Sequence, residues 1–122
     1  MQAYDAARFD PPAPLALVVV KSAQIVIRDV PMLLDTGADA SLLPRSHVGS
    51  LALPDAKQYE LESFDGKRTT APAIIAELRF LGKTFRGQFL LIDDWHGVVG
   101  RNVLNNLSLL FDGLALKWSE QR

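Results

Sequence analysis

The sequence predicts an all-β, barrel-like domain with one short helix near its C-terminal end. Three observations carry this reading. Short runs rich in Val, Ile and Leu recur along the chain, separated at close spacing by Gly, Pro and Asp, the pattern of many short strands. Two Asp-Gly pairs, Asp65-Gly66 and Asp112-Gly113, stand between strand-like runs, where such pairs mark hairpins. The one stretch that reads as helical, Asn102 to Leu107, is long enough for only one or two turns.

Taken in order, residues 1–14 carry Pro11, Pro12 and Pro14 without periodicity and read as an N-terminal arm. The folded domain is expected over residues 15–122. Leu15 to Ile27 is rich in β-branched residues and reads as strand, with Arg28-Asp29 preferred as its turn and Lys21 to Gln24 as the alternative. Val30 to Leu34 follows. Pro31 has no N–H to donate, so this strand is not paired on both sides at that point. Ser41-Leu42-Leu43 is a short strand stopped by Pro44. Lys57 to Phe64 and Lys67 to Ala76 form a hairpin about Asp65-Gly66, and Glu77 to Phe80 prolongs its second arm. Leu81-Gly82-Lys83 turns the chain into a strand from Thr84 to Ile92. After the helical turns, Ser108 to Phe111 and Leu114 to Trp118 make a last hairpin about Asp112-Gly113.

A chain of 122 residues is one domain, large enough for a core and too small for two lobes. Hydrophobic residues make up 48% and charged residues 22%, which places it among globular proteins. A net charge of −1 supplies no basic footprint for nucleic acid or an anionic membrane, so neither is an expected partner. The chain has no cysteine, which excludes disulfides, a thiol nucleophile and thiolate metal sites, and fits a reducing, cytoplasmic setting. Leu15 to Val20 is too short to cross a bilayer, and no basic segment of the signal-peptide kind precedes it. No metal or other cofactor is expected, because His47 and His96 have no ligand spacing around them. Asp93-Asp94 reads as an adjacent acidic pair facing solvent, and Ser41 and Ser46 have no nucleophile context.

The most informative segment is Asp35-Thr36-Gly37-Ala38-Asp39, directly after the apolar run Met32-Leu33-Leu34. An apolar strand that stops at Asp-Thr-Gly delivers a carboxylate at the edge of a packed core. The Gly permits a tight turn, and the Thr hydroxyl can bond locally and lock it. An Asp so placed suits acid/base work on a water molecule. The competing reading is an ordinary turn, since chance alone puts an Asp-Thr-Gly in a chain of this length about 2% of the time. The downstream partner Val98-Val99-Gly100-Arg101-Asn102 argues against chance, because a second apolar pair ending in Gly can pack beneath such a turn.

These two motifs, Leu33 to Asp39 and Val99 to Leu104, resemble those of the retropepsin-type aspartic proteases, and the resemblance runs from about Pro14 to Trp118. It implies a closed-barrel acid-protease fold with a flap hairpin and a homodimeric aspartic endopeptidase acting on peptide or protein substrates. A single Asp-Thr-Gly implies that Asp35 is catalytic and faces Asp35 of a second copy across a two-fold axis. The resemblance also implies that Thr36 interlocks the two turns and supports the dimer. Gly37 and Asp39 would contact substrate backbone, and Arg101 would pair with Asp39 and steady the dimer. Taken alone, Asp39 and Arg101 read more commonly as a solvated surface pair, and their place inside the two motifs is what favours the site role. The Lys57–Ala76 hairpin occupies the place of the flap. Its tip, Phe64-Asp65-Gly66, holds one glycine where viral members have several, so a stiffer tip over the substrate is expected. Phe64 either covers substrate or packs on its own hairpin. Trp95, His96 and Val98 fall where the family lines its side-chain pockets, and Trp95 reads equally as a core anchor. The last hairpin is longer than in viral chains. The alternative of another class is a retropepsin-fold dimerisation or peptide-binding module with weak catalysis. A segment cut from a larger precursor is equally compatible with the sequence.

Overall fold

The computed structural model describes residues 1–51, 58–62 and 65–121. Ten strands occur among them: β1 (Gln2–Ala3), β2 (Leu15–Ser22), β3 (Ile25–Leu34), β4 (Leu42–Pro44), β5 (Gln58–Glu62), β6 (Arg68–Phe80), β7 (Lys83–Ile92), β8 (Gly97–Val99), β9 (Leu109–Asp112) and β10 (Lys117–Glu120). Two single-turn helices, α1 (Arg45–Val48) and α2 (Arg101–Leu104), and a 3-10 turn at Gly49–Leu51 complete the elements.

Seven strands form a sheet in the order β2-β3-β8-β4-β7-β6-β5, and β2 also pairs with β6. That extra pairing closes six strands into a barrel and leaves β5 outside the ring, held to β6 alone. The all-β barrel expected from the alternating apolar runs is therefore present. Its interior is filled by alternate residues of the strands, among them Val18 and Val20 of β2, Met32 of β3 and Leu78 of β6, all fully buried. Burying each such side chain is worth roughly 1.5–3 kcal/mol.

The strand prolines obey one rule. Pro31 pairs with β2 before β8 joins β3 at Met32. Pro44 pairs only with Ile92. Pro72 is the last residue of β6 on the β5 side before β6 turns to β7 at Ala73. Each sits where one edge of its strand is free, so no ladder donor is missed.

Three details differ from the sequence reading. The chain reverses at Ala23-Gln24, not at Arg28-Asp29. The turn-like signal at Arg28-Asp29 marks a bulge instead. Val18 faces Val30 and Val20 faces Ile27, so two residues of β3 oppose Val19 alone, with Asp29 in the left-handed region at φ 56°. Secondly, β4 ends at Pro44 as read, but the extended backbone of Pro44 also leads into α1, a helical turn besides the one short helix that was expected. Thirdly, the last strand begins at Lys117 rather than Leu114, because Gly113 to Leu116 form the turn, with Ala115 N–H bonded to Asp112 Oδ1 at 3.1 Å.

The arm is tied down at both ends. β1 pairs with β10, Gln2 facing Trp118, and makes a small three-stranded sheet β1-β10-β9. Asp5 bridges Ala13, and Pro14 C=O accepts Leu34 N–H at 3.0 Å. Trp118, fully buried, packs on Phe80 with ring centroids 6.0 Å apart and joins this small sheet to the barrel core. No helix among the described residues is long and apolar enough to cross a membrane.

Candidate active site

β3 ends at Leu34 and the chain turns through Asp35 to Ala40 before re-entering the barrel as β4. Between these two strands runs β8, parallel to β3 with Leu34 beside Val99, and antiparallel to β4 with Val98 beside Leu42. The Asp35 turn thus arches over the end of β8. Asp35 N–H donates to Val99 C=O at 3.0 Å, and Ala38 N–H closes the turn on Asp35 C=O at 3.2 Å. Gly37 N–H donates to Asp35 Oδ1 at 2.8 Å and aims the carboxylate. A side chain at Gly37 would begin 3.1 Å from that same oxygen.

Below the turn, β8 leads through Gly100 into α2, and this corner is stitched to the turn from several directions. Arg101 N–H donates to Ala38 C=O at 2.8 Å. Gly100 N–H donates to Ser41 Oγ at 3.0 Å, and Ser41 in turn donates to Asn102 Oδ1 at 2.8 Å. The Arg101 guanidinium donates to Thr36 C=O at 2.8 Å. Backbone donors, Ser41 with Asn102, and the Arg101 guanidinium on a backbone carbonyl hold the turn, and among the described residues none of them forms an ion pair with the Asp35 carboxylate. Ser41 is a positioning residue that sequence reasoning missed. It has no nucleophile context and instead works as a buried link between its own turn and the Gly100–Asn102 corner, about sixty positions away in the chain.

Asp35, half-buried, opens into a cleft of about 650 Å³. The turn residues Gly37, Ala38, Asp39 and Ala40 edge its floor, and Leu42, Leu90, Ile92 and Val98 give it an apolar wall. Leu61, Glu62 and Thr69, from the two arms of the β5–β6 hairpin, hang over it. Leu61 and Thr69 face each other across the hairpin register, so they point to one side together. They were findable in the sequence only by counting back from the Asp-Gly turn. A second depression, of about 340 Å³, lies at Lys21, Ser22, Glu77 and Arg86 and holds the Glu77–Arg86 ion pair. Arg86 keeps the Glu77 carboxyl below its ordinary range through that hydrogen bond.

The other expected residues are placed as follows. Asp35, Gly37, Asp39 and Val98 come together in the cleft lining. Thr36 is exposed at the head of the turn, and its hydroxyl has no partner among the described residues. Arg101 reaches Thr36 C=O and forms no ion pair with Asp39 among the described residues. Asp65 and Gly66 stand at the hairpin tip outside the lining, with Lys67 N–H on Asp65 Oδ1 at 3.1 Å. Phe64 lies outside the described residues. Trp95 is absent from the lining and carries the arm instead. Phe9 packs against it at 5.6 Å between centroids, and the Arg8 guanidinium lies 4.0 Å above its ring. His96 joins this cluster, 5.3 Å from Phe9. Asp93 and Asp94 do more than face solvent: Asp93 pairs with Arg45 at 3.1 Å, and Asp94 Oδ1 accepts Trp95 N–H at 2.7 Å. Among the described residues no group of three or more His, Cys, Asp or Glu side chains converges in a way that holds a metal ion.

Comparison with known proteins agrees with this geometry. The model of the aspartyl protease family matches residues 20–110. A search of curated proteins gives no match. Among solved structures, the EIAV protease complexed with the inhibitor HBY-793 is similar to this chain with a TM-score of 0.59 and 20% sequence identity, over 85% of this chain and 92% of that one. At that identity the likeness concerns the fold.

Proposed function

The chain belongs to the aspartyl protease family and is of retropepsin type, and on that premise we propose that it is an endopeptidase whose site is completed by a second copy. The observation that carries the proposal is the placement of Asp35. Its carboxylate is oriented by Gly37 N–H at the floor of an apolar cleft roofed by the β5–β6 hairpin, and the sequence holds no second Asp-Thr-Gly. A two-fold arrangement brings Asp35 of each copy together, with the exposed Thr36 hydroxyls meeting across the axis. Paired carboxylates at contact distance share one proton, a known behaviour of aspartic proteases as a class. The ionised member takes a proton from water while the water oxygen attacks the scissile carbonyl carbon. The protonated member gives its proton to the carbonyl oxygen, and the C–N bond then breaks as the leaving nitrogen is protonated. The protease domain is proposed over residues 15–122, with the arm of residues 1–14 packed against it, and the setting proposed from composition is cytoplasmic.

A weakly catalytic peptide-binding module is the second reading. Asp65 caps its own turn through Lys67 N–H, which stiffens the tip that has to move over a substrate. One experiment separates the two. A peptide library is digested by wild type and Asp35→Asn from acidic to neutral pH, with and without pepstatin. The proposal expects cleavage that pepstatin blocks, that Asp35→Asn lacks, and that fades toward alkaline pH as both carboxylates ionise. Binding without cleavage under all conditions would select the module.

A further inference from the structure

After β1 the arm makes one closed excursion and returns to the strand that carries Asp35. Asp5 N–H donates to Ala13 C=O at 2.8 Å and Ala13 N–H to Asp5 C=O at 3.2 Å, which forms the neck of a loop. Asp5 also shapes the loop from within, since its Oδ1 accepts the Ala7 and Arg8 N–H groups at 3.0 and 2.9 Å. Midway round, the loop lays Arg8 and Phe9 against Trp95 and His96. The segment met there joins two pieces of the cleft wall. Ile92 ends β7 and Val98 lies in β8, both line the cleft, and residues 93–97 run between them. The first half of this link is tied to the barrel. Arg45 pairs with Asp93 at 3.1 Å, Ser46 Oγ donates to Asp94 C=O at 3.1 Å, and Asp94 N–H donates to Ile92 C=O at 3.0 Å. The second half is tied to the arm by rings. Trp95 and His96 stand 4.6 Å apart between centroids, Phe9 lies against both, and the Arg8 guanidinium covers Trp95. All these contacts lie within one chain, so the argument is the same for each copy of a two-fold site.

We infer that Phe9, with Arg8, is a positioning residue for substrate: the arm clamps the Trp95–His96 corner, and the clamp sets where Ile92 and Val98 stand and so how well an apolar side chain of the peptide seats against them. The inference rests on the reading of this cleft as a peptide site. So short a link, anchored in the wall at both ends, passes a shift of its corner on to the wall. A gap of about 0.5–1 Å already forfeits a quarter to a half of each dispersion contact across it. The Asp35 turn is held by its own bonds to Val99 and Gly37, so loss of the clamp falls on binding and not on proton transfer.

The test uses cleavable peptides in which one position, scanned along the peptide, holds Ala or Leu. Values of kcat and KM are measured for wild type, Phe9→Ala, Phe9→Tyr and Arg8→Gln, well below their melting temperatures and at protein concentrations where the rate per chain no longer depends on dilution. At one position wild type should bind Leu better than Ala. Phe9→Ala should raise KM for that Leu peptide by about two- to tenfold, the weight of one aromatic pair, with kcat kept, the signature of lost uniform binding. Its Leu preference should shrink accordingly. Phe9→Tyr keeps the ring and should match wild type, and Arg8→Gln should shift KM in the same direction by less. Trp118→Phe weakens the core away from this loop and should lower the melting temperature while leaving the Leu-to-Ala ratio of KM unchanged. A ratio that Phe9→Ala leaves at the wild-type value, or one that Trp118→Phe or Phe9→Tyr alters as much as Phe9→Ala does, overturns the inference and leaves the endopeptidase reading standing. If no peptide is cleaved, the endopeptidase reading fails by itself. The affinities of the same peptides for wild type and Phe9→Ala, followed by fluorescence anisotropy, then decide in the same way: a Leu preference that Phe9→Ala loses upholds the clamp, and equal affinities for the two proteins overturn it.

Discussion

The floor and the roof of the cleft are built on opposite principles. The floor is over-determined. Val99, Ala38, Ser41, Asn102 and Thr36 all supply hydrogen-bond partners to the Asp35 turn or to the corner beneath it, and Gly100 lets two backbones meet. A Cβ at Gly100 would stand 2.6 Å from the Ala40 carbonyl carbon and 3.0 Å from Ala38 C=O, and closer still to the Ala40 oxygen. The roof has one edge strand, β5, paired on one side, and a tip in which Gly66 has φ +82° and open space around it. Glycine serves the floor by its lack of volume and the roof by its backbone freedom. The floor holds reacting groups in place, and the roof is tied to the barrel through β6 alone.

The largest expected effect comes from the one floor residue that carries chemistry. Asp35→Asn should reduce peptide hydrolysis by at least ~10³-fold, the weight of general acid/base catalysis, while the amide oxygen retains the Gly37 N–H bond and thermal unfolding stays close to wild type. Next is Gly100→Ala, where the atoms in the way are backbone and cannot step aside. It should cost about 3 kcal/mol of stability, read from urea unfolding, and should lower activity with it. Ser41→Ala leaves the buried Gly100 N–H without its acceptor and should cost about 1–3 kcal/mol. Gly66→Ala strains only the tip, by about 1 kcal/mol, and should raise KM more than it alters unfolding. If Gly66→Ala destabilised the protein as much as Gly100→Ala, the contrast between floor and roof would be lost.

The smallest effect concerns the arm. The Arg8 backbone N–H, more than the Arg8 guanidinium, holds the Asp5 carboxyl below its ordinary value of 3.8, against a partial opposing effect of desolvation. A carboxyl depressed on folding stabilises the folded state above its unfolded value, and the benefit fades as pH falls below 3.8 toward the lower folded value. Asp5→Asn should therefore lower the melting temperature slightly at neutral pH, and the gap from wild type should close in strong acid. A gap that is constant with pH would show that Asp5 acts only through geometry.

Local signals made much of the barrel readable in advance. Alternation, Asp-Gly pairs and Pro31 are all decided within a few residues, and the strands and both late hairpins follow from them. The arm was not readable as part of the fold, because Gln2 beside Trp118 is a pairing across nearly the whole chain with no local mark. Arg28-Asp29 carried a true signal for left-handed backbone, but a bulge and a turn share that signal. Within the site, Asp35 and its neighbours were legible because the turn is contiguous. Ser41 was not, since its partners Gly100 and Asn102 arrive from elsewhere in the chain. Leu61 and Thr69 were legible only through the hairpin register, counted back from the Asp65-Gly66 turn.

The central claim is that each copy supplies one Asp35 to a shared site. Wild type and Asp35→Asn can be mixed at fixed total concentration, allowed to exchange, and assayed for peptide hydrolysis as the wild-type fraction varies. With a shared site, only pairs of wild-type chains are active, so the rate should follow the square of that fraction and fall to about a quarter in an equal mixture. A rate that falls in direct proportion, to about a half in the same mixture, would mean that each chain works alone, and would contradict the account.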